Sequence, residues 1–158
     1  MRYDMADEVE VVGHCDATPM VRFLGKAGRY LNRVGERVSE GQISAAMDAV
    51  GVQLAGFTVH APEAEMPSYI VGFEGENVDE GFAKSFDSAL AQQNVEYAGK
   101  RASGRLGPPV IRRFDAGHYA QLRAHRVDQG APEGQLKDPV IAVDQSEWDR
   151  VCGAGWLS

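Results

Sequence analysis

Cysteine is scarce in this sequence. Only Cys15 and Cys152 occur, and neither belongs to the close spacing of a metal-binding pair. Both read as reduced, ordinary thiols, and the chain as cytoplasmic. Long apolar runs are missing as well. None approaches the length of a membrane span, and Asp4, Asp7, Glu8 and Glu10 interrupt any early apolar stretch, so neither a secretory signal nor a membrane association is expected. A basic excess is missing too. Sixteen Lys and Arg face 23 Asp and Glu, for a net charge of −7, which argues against a nucleic-acid partner. The densest basic stretch, Lys100 to Arg113, reads as a helix end and a strand edge, with a local anion site as the smaller alternative. Familiar catalytic signatures are also absent: there is no Gly-x-Ser-x-Gly elbow and no Gly-Lys-Ser or Gly-Lys-Thr phosphate loop. The histidines His14, His60, His118 and His125 lack ligand spacing, so no metal site is expected.

What is present is an ordinary globular composition, with 44% apolar and 25% charged residues in 158. A domain of this size buries roughly 70% of the surface its unfolded chain exposes, enough for a core without staples. Val9–Val12 and Val21–Leu24 are β-type runs around a turn at His14–Pro19, and read as a hairpin. Gly25, Gly28 and Gly35 fall within eleven positions and mark a candidate hinge. Ser39 and Gln42 form a capping-box pattern ahead of Ile43, Ala46, Met47 and Val50, which share a helix face; Gly51 ends that helix. Alternation predicts strands over Leu54–His60 and around Tyr69, Val71 and Phe73. A second helix is expected from Asn77 or Asp79 to about Arg101, with a break near Asn94. A strand over Val110–Phe114, a helix from His118 to Asp128 with Gly130 as cap, a strand over Val140–Val143 and a final turn capped by Asp144 or Ser146 complete the pattern. With Arg29–Val34 as a weak strand, the order is β-α-β-β-α-β-α-β. This predicts an α+β fold: a small, mostly antiparallel sheet with helices packed on it, preceded by a β-hairpin.

Two side chains are candidates for chemistry. Asp7, at the start of a strand, could accept hydrogen bonds from two adjacent hydroxyls, as on a ribose; by composition alone it reads as an exposed acid. Lys137 lies in Gly-Gln-Leu-Lys-Asp-Pro, on a loop bounded by Gly134 and Pro139. There it could set a positive charge on a phosphate, or be a solvated loop lysine.

Four segments read together add context. Gly25-Lys26-Ala27-Gly28-Arg29-Tyr30-Leu31-Asn32-Arg33-Val34-Gly35-Glu36-Arg37-Val38 resembles the hinge of adenylate-forming enzymes, in the version found in the auxin-responsive promoter family of acyl-acid amido synthetases. Tyr3-Asp4-Met5-Ala6-Asp7 resembles the same family. So do Ala89-Leu90 through Asn94, Tyr97 and Arg101 to Leu106-Gly107-Pro108-Pro109, and Gly130-Ala131 to Gln135-Leu136-Lys137-Asp138-Pro139. Order and spacing match up to about Val143. The resemblance implies that Asp7 holds the ATP ribose and that Gly28 and Arg29 form the pivot of a mobile C-terminal lobe. It implies that Lys137 reaches ATP phosphate and the substrate carboxylate. ATP and magnesium are expected for the complete enzyme, with none held by this chain alone. The partners implied are a large N-terminal adenylation lobe, a carboxylic acid and an amino acid.

Residues 1–27 are thus expected to be a β-hairpin and hinge approach left from the large lobe, and residues 28–158 the C-terminal lobe. The chain is expected to be part of a truncated or split ligase, inactive alone. It departs from the family pattern at Asp4, Ala6 and Asn32, and at Asp138, where an apolar residue usually follows the lysine. The missing lobe, Asn32 and Asp138 carry the alternative expectation, a non-catalytic binding or scaffolding module that reuses the fold.

Overall fold

The alternating residues at the start of the chain pair as a hairpin. A computed structural model describes residues 7–26, 29–76, 81–132 and 136–153. In it β1 (Asp7–Cys15) runs antiparallel to β2 (Thr18–Lys26), turning at Asp16 and Ala17. The hinge glycine Gly28 lies outside the described residues, as do Asp4 and Ala6, the loop glycine Gly134, and the expected caps Asn77 and Asp79.

The weak strand expected over Arg29–Val34 contracts to two residues. β3 (Tyr30–Leu31) pairs with β4 (Val38–Ser39). The reason is local hydrogen bonding. The buried Glu36 carboxylate accepts from the Arg33 and Val34 backbone N–H groups at 2.9 and 2.8 Å, and Asn32 Oδ1 accepts from Gly35 N–H at 2.8 Å. With their donors satisfied by side chains, these residues need no strand neighbour. Asn32 therefore has a turn-closing task here.

Ser39 caps α1 (Glu40–Val50) with both capping-box bonds in place, and Gly51 closes it in the left-handed conformation. β5 (Gly56–His60) and β6 (Ser68–Glu74) follow as an antiparallel pair. α2 (Phe82–Gln93) and α3 (Val95–Ala102) are separated at Asn94, which closes one helix through its N–H and caps the next through Oδ1. β7 (Gly107–Phe114), α4 (His118–Asp128), β8 (Ile141–Ala142) and α5 (Gln145–Val151) complete the order, with Asp144 as the last N-cap.

The main sheet runs β7-β6-β5-β8. Among the described strands three pairings are antiparallel, and β7 and β8 join the sheet edges in parallel. Each parallel strand returns through helical crossovers, as parallel pairing requires. One face of the sheet buries Val59, Val71 and Phe73 against Ile43, Met47, Phe86 and Leu90 of α1 and α2. The other face packs Phe114, Tyr119, Leu122, Trp148 and Val151. Gly56 and Gly72 admit these aromatics: a Cβ at Gly56 would meet the Tyr119 ring at 2.5 Å, and one at Gly72 the Phe114 and Trp148 rings at 2.7 and 2.8 Å. This second face carries the polar residues Thr58 and His60, and it is where the Lys137 segment lies.

Candidate functional site

The segment from Lys137 to Val143 has only two strand residues, yet side chains and strand backbone hold nearly all of it. Arg126 Nη1 donates to the Lys137 carbonyl at 2.9 Å, and Arg123 Nη1 to Asp138 Oδ2 at 2.6 Å. Thr58 Oγ1 donates to the Pro139 carbonyl at 2.6 Å, and Val59 N–H to the Val140 carbonyl at 2.8 Å. Arg29 Nη2 donates to the Ile141 carbonyl at 2.8 Å, and His60 Nδ1–H to that of Ala142 at 2.9 Å. Val143 N–H then donates to Glu147 Oε2 at 3.0 Å. A chain without regular structure normally leaves such groups to water; here they are fixed from β5, α4, α5 and Arg29.

The supports are themselves locked. Tyr119 Oη donates to Thr58 Oγ1 at 3.0 Å. Burial pushes the Tyr119 phenol well above its ordinary range, which keeps it a neutral donor. The start of α4 is anchored by Glu74, which accepts from Gly117 and Tyr119 N–H at 2.5 and 2.9 Å. Burial opposes the charge on Glu74, but the two backbone donors outweigh it and hold its carboxyl below the usual range. His60 stacks on Trp148, with ring centroids 5.4 Å apart.

Lys137 is exposed, and its ammonium makes no hydrogen bond or ion pair among the described residues. The result is a fixed backbone carrying a cation that no described residue pairs. Asp138 does not engage that cation. Its carboxylate turns to Arg123 instead, and burial, partly opposed by Arg123, raises its pKa above the ordinary carboxylate range.

Arg29 is clamped onto the same structure. Nε donates to Glu40 Oε1 at 3.0 Å, and the other two nitrogens to the Glu147 carboxylate at 3.3 Å. Burial disfavours the guanidinium charge, but the two carboxylates overcome this and raise its pKa further. Arg29 thus ties the chain entering the lobe to the first turn of α1, to β8 and to α5.

Arg29 and Lys137 line one cleft of about 860 Å³, together with Glu40, Arg126, Glu147 and Arg150. The backbone of Asp7 pairs with Lys26 in the hairpin. The basic stretch from Lys100 to Arg113 does not gather into a site. Arg101 is spent on Asp87 and on the Leu106 carbonyl, while Arg112 lies over Phe114 and Arg113 over Phe73. Absent from the sequence-based candidates were Arg126, which lines the cleft, and Arg123, which pairs with the lining Asp138. Their spacing on one helix face was the available signal. Among the described residues, no three His, Cys, Asp or Glu side chains converge as metal ligands. No described helix is long and apolar enough to cross a membrane.

A family model described as the GH3 family C-terminal domain matches residues 40–146, well over half of the chain. The chain belongs to the GH3 family. A rice protein, probable indole-3-acetic acid-amido synthetase GH3.12, is 26% identical over 159 residues, covering 87% of this chain and 26% of its own length. A mouse GH3 domain-containing protein is 29% identical over 136 residues, covering 77% of this chain and again 26% of its own. The chain thus spans about a quarter of the length of the curated relatives it matches. The solved structure of the GH3.15 acyl acid amido synthetase superposes with a TM-score of 0.75 at 15% identity, over 94% of this chain and 30% of that one. At that identity the likeness speaks for the fold alone. The α+β architecture expected is thus that of the GH3 C-terminal domain.

Proposed function

We propose that this GH3 domain is the cap lobe of an ATP-dependent acyl-acid amido synthetase and that Lys137 is its phosphate-directed cation. The observation that carries the reading is the fixed backbone of Lys137 and its ammonium, unpaired among the described residues. In the first half-reaction a carboxylate oxygen attacks the α-phosphorus of ATP, the α–β phosphoanhydride bond breaks, and pyrophosphate leaves. In the second, an amino acid's amine attacks the acyl carbon and AMP leaves. Lys137 would stabilise the charge that builds on the phosphate in the first step, a contribution typically worth about 10²–10³ in rate. ATP and magnesium belong to the complete enzyme; Asp7 would serve the ribose, and Gly28 with Arg29 the pivot.

The partner required is a large adenylation lobe, in the same chain or a separate one. The hairpin supports this: Val9, Val11 and Val21 are 50, 55 and 55% exposed on a two-stranded ribbon, which is marginal alone. The scaffolding alternative drew on Asn32 and Asp138, and both have structural tasks here, closing a turn and pairing with Arg123. The test is acid-dependent ATP–pyrophosphate exchange by this chain mixed with a GH3 large lobe. Exchange should need both pieces and fall steeply in Lys137→Ala. A rate indifferent to Lys137, or a tight complex with no exchange at all, would favour the scaffold.

A further inference from the structure

We infer that the cleft between α4, α5 and the Lys137 segment is an oxyanion site of this lobe, in which Arg126 binds beside Lys137. The inference rests on the reading above only in taking phosphate as the anion. Its basis is an imbalance of charge. Of the carboxylates lining the cleft, Glu40 and Glu147 are held by Arg29, and Asp138 by Arg123. Lys137 and Arg126 line the same cleft and have no carboxylate bonded to them among the described residues. Among the described residues the Arg126 guanidinium bonds to a neutral carbonyl, that of Lys137, at 2.9 Å. That bond uses Nη1 and ties the guanidinium to the residue whose ammonium it accompanies. Within a chain of net charge −7, two cations that bond to no described carboxylate therefore share this cleft, with Asp138 within electrostatic reach of Arg126, over an apolar lining that includes Leu122, Val140 and Val151.

The C-terminal end of α4 also borders the cleft, and the exposed carbonyls of a helix end repel anions. Here they are occupied. The His125, Arg126 and Val127 carbonyls accept from the Gln129, Ala131 and Gly130 N–H groups. A planar guanidinium fork beside a point ammonium suits a tetrahedral oxyanion bearing more than one charge. Pyrophosphate has that chemistry.

The experiment is a ³¹P NMR titration of the chain with inorganic pyrophosphate, without magnesium. Saturable binding that weakens as salt rises is expected. Arg126→Ala and Lys137→Ala should each weaken it by about tenfold, with Arg126→Lys between wild type and Ala. Arg22→Ala, which alters an exposed pair on the hairpin, should change nothing. Circular dichroism should show each variant folded. No saturable binding by the wild-type chain, or binding that a folded Arg126→Ala variant retains in full, overturns the inference. Failure of the exchange reaction with pyrophosphate binding intact would sink the ligase reading and leave this site standing.

Discussion

The hairpin and the Lys137–Val143 segment make opposite bargains with regularity. The hairpin has two nine-residue strands in antiparallel register, yet much of its valine surface stays in water and its Glu10–Arg22 pair is exposed. The Lys137 segment has two strand residues and is held nearly throughout by Thr58, Val59, His60, Arg29, Arg123, Arg126 and Glu147. Regular backbone pairing therefore does not mark the finished part of this molecule. The hairpin is paired yet leaves Val9, Val11, Val12 and Val21 exposed; the segment is irregular yet held at most of its carbonyls, with Asp138 Oδ1 left buried and without a hydrogen bond among the described residues. On the proposed function, a surface that docks can wait for its partner, whereas a charge that would meet a phosphate has to be placed beforehand.

The comparison can be broken at several points. The largest effect is expected in catalysis. Lys137→Ala should lower exchange in the reconstituted enzyme by about 10²–10³. It should move the urea-unfolding free energy of the chain by no more than about 0.5 kcal/mol, because the side chain supports nothing. Thr58→Val should do the reverse. It strands the Pro139 carbonyl and leaves the Tyr119 hydroxyl only the long 3.5 Å contact with the Gly72 carbonyl, at a cost of about 2 kcal/mol in urea unfolding. Arg29→Ala leaves Glu40 and Glu147 half-buried without their cation and should cost about 2 kcal/mol, with part recovered in Arg29→Lys.

A fourth test concerns the lobe away from the cleft. Burial opposes the Asp87 charge, but hydrogen bonds from Arg101 and Tyr97 outweigh it and depress its pKa below the ordinary 3.8. A depressed carboxylate contributes stability that is present above its unfolded pKa and lost as pH falls through the folded value. Asp87→Asn should thus cost about 1–2 kcal/mol at neutral pH and flatten the pH dependence of unfolding below about pH 4. The smallest effect belongs to the hairpin. Val11→Ser should change stability of the chain alone by about 0.5 kcal/mol or less, while weakening its association with a large lobe in a sedimentation or titration assay.

Local signals in the sequence read through to the fold. The Ser39–Gln42 box, Gly51, the helix from His118 to Asp128, the break at Asn94 and the Asp144 cap are contained within a few residues each, and the structure has them all. What failed to read were choices made across distance. Arg29 meets Glu40 and Glu147, 11 and 118 residues away, and Thr58 meets Pro139 across 81. No local pattern specifies such pairs. The same holds for the parallel seats of β7 and β8, which depend on where the crossover helices return the chain. Asp138 shows the cost of reading neighbours in sequence as neighbours in space: adjacent to Lys137, it faces Arg123 instead.

Hydrogen–deuterium exchange on the chain, first alone and then with a GH3 large lobe, tests the contrast most directly. The account predicts that the amides of Val59 and Val143, which frame the Lys137 segment, are protected from the outset and unchanged by the lobe. The inter-strand amides of the hairpin should exchange fast at first and slow markedly when the lobe is added. A Lys137 segment that exchanges as freely as the hairpin in the lone chain, or a hairpin that the lobe leaves unprotected, would contradict it.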